Sequence, residues 1–209
     1  MKNTFEKYSS KKWTAIILID LILLGMIIFY FGVIRPFHHP NVNINGIYLE
    51  HAKNIPPLNL IDHHGKPFTH TSLEGHWTVM FFGFTHCTMV CPLTLNALKK
   101  FDALLQKQLP PHLLPMIVFI TIDPENDTIS RLDKYLSSYN TNFIGLRADV
   151  NKTKSLEKQF SITVSGMNEN IVHSTDILVL NPKAQIQAYL RFPPKPATMV
   201  NDYLEIIKH

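Results

Sequence analysis

Trp77-Thr78-Val79-Met80-Phe81-Phe82-Gly83-Phe84-Thr85-His86-Cys87-Thr88-Met89-Val90-Cys91-Pro92-Leu93-Thr94-Leu95-Asn96-Ala97-Leu98 is the stretch that decides the fold. Val79 to Phe84 is apolar and rich in aromatic and β-branched residues, which predicts a buried strand. Gly83 interrupts it, at a point where another backbone could approach closely. Both cysteines of the chain follow, with three residues between them. Pro92 suits the first turn of a helix, where its missing N–H would have no partner in any case. Leu93, Leu95, Leu98 and Phe101 then continue at roughly helical spacing. The two thiols therefore sit where a central strand turns into a helix, and a helix N-terminus there favours thiolate over thiol. Such a turn suits redox chemistry or a soft metal.

Working outward, residues 56–62 lead into His64-Gly65-Lys66, a turn signal between two short strands. Residues 72–75 connect them to the central strand. On the other side, Pro110-Pro111 breaks the cysteine helix, and Met116 to Ile122 reads as a second buried strand. The loop from Asp123 ends in a helix N-cap, Asp127 or Thr128. Leu132, Tyr135, Leu136 and Tyr139 recur at helical spacing over residues 131–139. A short strand at 143–146, a helix at 152–160 and a polar loop at 165–170 follow. His173 comes just before a strand at 177–180, which a turn joins to a strand at 186–190, and a helix at 200–207 closes the chain. Strands alternating with helices and ending in a hairpin predict an α/β domain with a mixed central sheet covered on both faces.

The chain of 209 residues has room for one such domain and an appendage. That appendage is N-terminal. Residues 15–34 are apolar except for Asp20, about the length of a bilayer-spanning helix, with Trp13 and Tyr30 near its ends. Lys2, Lys7, Lys11 and Lys12 precede the span and only Arg35 closely follows it, so the positive-inside rule puts the N-terminus in the cytoplasm. The expected organisation is a cytoplasmic tail at 1–12, a transmembrane anchor at 13–34, a tether at 35–54 in which Ile47-Tyr48-Leu49 reads as a short strand, and a folded domain at 55–209. Of the formal charge of +4, residues 1–34 carry +2 and the rest +2, too weak and mixed for nucleic-acid binding. The pairs His38-His39 and His63-His64 sit in polar surroundings and read as solvated loop.

Two cysteines exclude a multi-disulfide scaffold, and a bridge between them would close too short a loop to add much stability. The pair reads as reactive. Thiolates select Cu(I), zinc or an iron–sulfur unit, and the latter two need more protein ligands than two cysteines supply. Cu(I) is satisfied by two thiolates and one imidazole. His173, at a loop-to-strand junction, is one candidate for that imidazole; His86 abuts Cys87 but adjacent side chains on a tight turn point apart. Met89, between the thiols, is either a thioether donor or a hydrophobic cover. The rival chemistry is thiol–disulfide exchange, with Cys87 attacking and Cys91 resolving.

Phe82-Gly83-Phe84-Thr85-His86-Cys87-x-x-x-Cys91-Pro92, then Ile122-Asp123-Pro124-Glu125-x-Asp127-Thr128, then Val172-His173-Ser174 resemble the three signatures of the Sco/SenC family. Gly65-Lys66-Pro67-Phe68-Thr69 and Leu73-x-Gly75 are similar to its entry to the core strand, and the resemblance covers about residues 55–207. It implies a thioredoxin-like fold on the outer side of a membrane, with Cys87, Cys91 and His173 as ligands for Cu(I) and also Cu(II). It implies a metallochaperone that delivers copper to the copper A site of cytochrome c oxidase, or keeps that subunit's cysteines reduced, and that receives copper from a donor protein. The alternative is a membrane-tethered thiol–disulfide oxidoreductase acting without metal. A thioredoxin-fold peroxidase is disfavoured by the lack of a Pro-x-x-x-Thr-x-x-Cys arrangement. With no transit peptide, a bacterial plasma membrane is expected, the C-terminal domain being periplasmic. The chain departs from the family in one respect: Thr88-Met89 stands where members commonly carry Pro-Asp.

Overall fold

A computed structural model describes residues 3–34, 42–162, 164–165, 172–173, 177–193 and 195–209. The chain divides into two units, Met1–Asn41 and Val42–His209.

The first unit is helix α1, Asn3–Phe29, which ends in a π-helical turn, Tyr30–Ile34. Its segment Trp13–Gly32 has a mean hydropathy of 2.5 and no buried residue. An apolar helix of 20 residues exposed along its whole length would be costly in water and matches the span of a bilayer's hydrocarbon core. It is a candidate membrane anchor.

The second unit runs β1 (Gly46–Asn54), β2 (Asn59–Asp62), β3 (Pro67–Thr69), β4 (Thr78–Gly83), α2 (Val90–Leu105), β5 (Met116–Thr121), α3 (Ile129–Ser137), β6 (Ile144–Arg147), α4 (Val150–Gln159), β7 (Val164–Ser165), β8 (Val172–His173), β9 (Ile177–Leu180), β10 (Gln185–Leu190) and α5 (Pro196–Ile206). Eight strands form one sheet in the order β1-β10-β9-β4-β5-β6-β2-β3, while β7 and β8 pair separately. The sheet is mixed: β4, β5 and β6 are parallel neighbours, and the other pairings are antiparallel.

The apolar run at the centre becomes β4 because both faces of the sheet are covered there. Val79 and Phe81 face a core with Leu95, Leu98 and Phe101 of α2, Leu132 and Leu136 of α3, and Tyr203 of α5. Met80 and Phe82 face the opposite core, with Leu156 of α4, Leu60 and Phe68. A strand buried on both faces reads as a continuous apolar run, not an alternating one. The expected mixed α/β architecture is therefore the observed one.

Several local expectations change. The short strand expected at Ile47-Tyr48-Leu49 within the tether is the start of a longer edge strand, β1, which hydrogen-bonds to β10 from Gly46↔Leu190 onward. Helix α5 begins at Pro196, four residues before the periodicity suggested, because Pro196 occupies its first turn. Thr128, not Asp127, caps α3: its side chain accepts from the Arg131 N–H. His63 is not solvated loop but 5% exposed. The His38-His39 pair and most of the polar loop at 165–170 lie outside the described residues.

Candidate metal centre

The chain leaves β4 at Gly83 and enters α2 at Val90, and the intervening turn carries Cys87. The Cys87 N–H donates to the Phe84 carbonyl at 3.3 Å, folding the turn back on the end of β4. That brings the Cys87 Sγ over the first turn of α2, where the Cys91 N–H donates to it at 3.4 Å. Four backbone N–H groups at a helix start lack intrahelical partners. Here the sulfur accepts from one of them, the Cys91 N–H, and lies near those of Met89 and Val90.

The two thiols differ sharply. Cys87 is partly exposed, and its pKa is lowered to about 5, chiefly by the hydrogen bond from the Cys91 thiol, with the N–H groups of Cys91, Met89 and Val90 assisting against burial. Cys91 is 1% exposed and its pKa is pushed up, because its proton is held by Cys87 and its site is dry. At neutral pH the pair is one thiolate and one thiol sharing a proton. Room for Cys91 comes from Gly83: a Cβ there would lie 2.7 Å from the Cys91 Sγ and 2.7 Å from the Phe119 ring. The close approach expected at Gly83 is thus made by side chains rather than by another backbone.

A buried carboxylate holds the turn in place. Asp127 is fully buried and accepts from the Thr85 N–H at 3.1 Å, from the Thr85 hydroxyl at 2.5 Å and from the Thr121 hydroxyl at 2.6 Å. It ties the residue two before Cys87 to the end of β5. In the sequence Asp127 reads only as a possible helix cap, since its main partner, Thr85, is 42 residues away. The one available signal was its place in the second family-like motif.

His86 points away from Cys87's chemistry: its Nε2 lies 3.5 Å from an Asp123 carboxylate oxygen, and its ring packs on Phe84 at 4.6 Å. Met89, at the N-cap of α2, is 74% exposed and covers nothing. His173 is in β8, its backbone paired with Val164. Strand β9 begins four residues later in the chain and runs antiparallel to β4, with Leu178 opposite Met80 and Leu180 opposite Thr78. The start of β9 is therefore level with the end of β4 that leads to the cysteines, and β8 precedes that start. The imidazole of His173 lies outside the described side chains. The structure thus brings Cys87 and Cys91 together and gives His173 a backbone position only.

Elsewhere, His63, His64 and Asp133 offer ligand atoms close together, the His63 Nε2 lying 4.0 Å from an Asp133 oxygen. His63 cannot serve as a metal ligand in this arrangement. Its Nδ1 accepts from the Gly145 N–H at 3.0 Å, so the neutral ring carries its proton on Nε2 and has no lone pair left for an ion. Its role is structural.

What the cysteine turn offers, then, is a preformed thiolate with a second sulfur one hydrogen bond away, fit for a soft monovalent ion or for thiol exchange. Comparisons with known proteins bear on this. A SCO2-like protein of Rickettsia prowazekii is 31% identical over 160 residues, covering 75% of this chain and 76% of the relative. The copper-bound crystal structure of ScoI from Arabidopsis thaliana superposes with a TM-score of 0.69 at 25% identity, covering 74% of this chain and 98% of that one. BsSco, a member of the Sco family of cytochrome c oxidase assembly proteins in which a disulfide switch has been identified, shares the fold with a TM-score of 0.64 at 17% identity, covering 78% of this chain and 98% of that one. The sequence model of the SCO1/SenC family matches residues 48–208. The thioredoxin-like domain bearing Cys87 and Cys91 belongs, with the chain as a whole, to the SCO1/SenC family.

Proposed function

We propose that this protein is a membrane-anchored copper metallochaperone that serves the copper A site of cytochrome c oxidase. Cys87 and Cys91 hold Cu(I) as thiolates, and His173 completes the site and allows Cu(II) as well. The observation that carries the reading is the Cys87 sulfur itself, already anionic near neutral pH beneath the N–H groups of α2. Copper is cargo here, taken from a donor protein and passed on by ligand exchange with the acceptor subunit's cysteines. Binding of the cation displaces the proton that Cys91 holds in the free protein. Helix α1 anchors the chain in a bacterial plasma membrane, with residues 1–12 cytoplasmic, residues 13–34 spanning, and the domain in the periplasm beyond a short tether. The lysines before the span support that orientation.

A second reading is supported by the asymmetry of the pair. An accessible low-pKa thiol beside a buried one is the arrangement of a thiol–disulfide reductase, with Cys87 attacking an acceptor disulfide and Cys91 resolving the mixed disulfide. Deleting the protein from its host separates the two. The first reading expects a copper A subunit that lacks copper, restored by wild-type protein and not by Cys87→Ser/Cys91→Ser. An acceptor subunit that is fully metallated without this protein overturns the reading. One that is oxidised and rescued by an added small thiol favours the second.

A further inference from the structure

We infer that Met89 is a transient thioether ligand that carries Cu(I) into and out of the cysteine turn, an inference that rests on the copper reading above. Among the described residues it is the most exposed large apolar side chain, at 74%. Burying a methionine is worth about 1.5–3 kcal/mol, so the fold gives up that gain at this position. Its carbonyl accepts from the Leu93 N–H at 3.1 Å, which sets Leu93, 48% exposed, one turn below it on the same face of α2. Its own N–H is one of those directed at the Cys87 Sγ, so the thioether springs from backbone already in contact with that sulfur.

The need for such a donor follows from burial. Cys91, at 1% exposure, cannot meet copper first or release it last, and Cys87 is only partly exposed. The other candidates around the turn are unsuited. The Nε2 of His86 faces Asp123 and its Nδ1 is buried, so neither can meet an incoming ion first, and the exposed hydroxyl of Thr88 is a hard donor. A thioether is soft, uncharged, flexible on three rotatable bonds and needs to lose no proton to bind. It holds copper weakly, as a relay must. Copper remains Cu(I) throughout. On exit the bonds to His173 and Cys91 break as a Cu–S bond to Met89 forms; acceptor thiolates then displace Cys87 and finally Met89, and a proton shed by the acceptor returns to Cys91. Entry is the reverse.

The test uses the full chain in detergent micelles, loaded anaerobically with one equivalent of Cu(I). A small chromogenic Cu(I) chelator withdraws the metal in a stopped-flow cell, and equilibrium affinity is measured in parallel. The variants are Met89→Leu, which keeps apolar bulk and removes sulfur, and Met89→Ala. A small chelator has no surface for an apolar side chain to grip, so a docking role for Met89 would leave the rate unchanged. We expect both variants to release copper about tenfold more slowly at unchanged equilibrium affinity. Met89→Leu releasing copper at the wild-type rate overturns this inference alone. Wild-type protein that holds no Cu(I) overturns the copper reading and this inference with it.

Discussion

The backbone N–H of Cys91 donates to the Sγ of Cys87 across 3.4 Å, so the second cysteine stabilises the first as an anion through its place in the helix as well as through its thiol. Cys87 lies in the turn before α2 and Cys91, four residues on, in its first turn, and the spacing produces the asymmetry: one sulfur at the mouth of the turn, the other behind it.

Cys87 is expected to react as a thiolate down to about pH 5. Alkylation of the reduced protein by iodoacetamide should hold its rate from pH 8 to pH 6 and then fall as the thiolate titrates. A cysteine whose folded pKa lies below its unfolded value stabilises the fold above the unfolded value and loses that contribution as pH falls through the folded one. The Cys87 contribution should therefore shrink between the ordinary thiol value of 9.0 and about 5, with Cys91 opposing it only above 9.0. An alkylation rate that already falls steadily from pH 9 to pH 7 would show an ordinary thiol and remove the basis of both functional readings.

Asp127 should prove more important than its distance from the sulfurs suggests. Asp127→Asn puts an N–H₂ among three donors from Thr85 and Thr121, and we expect a loss of about 2–3 kcal/mol in urea unfolding. Because the same bonds pin the turn before Cys87, the alkylation midpoint of Cys87 should also move upward. Wild-type values for both would mean that the turn is held by something else.

His63 should act as a weak point in acid. Burial is the main cause of its lowered pKa, helped by His64, and its Nδ1 is committed to the Gly145 N–H. A histidine depressed below its unfolded value of 6.5 leaves the fold intact above that pH and destabilises it as pH falls toward the folded value. His63→Gln keeps an acceptor for Gly145 without a titrating ring. The variant should lose less stability than wild type between pH 7.5 and pH 5 in paired urea titrations. Parallel losses in the two proteins would count against this role.

The parts of the fold that were legible in the sequence are those whose signals are local. Val79 to Phe84 had to be a strand buried on both faces, and Pro92 had to open a helix, so the position of the cysteine pair followed from adjacent residues. Of strand β1 only Ile47-Tyr48-Leu49 is legible as a strand, because the rest of this edge strand lacks a clean apolar alternation; its full length is set by pairing with β10. Asp127 escaped because no local rule links it to Thr85, and His63 because a histidine pair in a polar turn gives no hint that one ring is buried against Gly145. At the site, the residue types and the turn were readable directly, whereas the choice of His173 rested on the resemblance of Val172-His173-Ser174 to a family motif.

A three-ligand copper site at Cys87, Cys91 and His173 can be tested by an anaerobic Cu(I) competition titration of the reduced full chain. Wild-type protein, His173→Ala and Cys87→Ser/Cys91→Ser would be titrated against one chelator. One tightly held copper per chain is expected, weakened by loss of His173 and abolished by loss of both cysteines. Tight binding that is indifferent to His173 would contradict the ligand set. Absence of tight binding in the wild type would contradict the copper role and leave thiol exchange by Cys87 and Cys91.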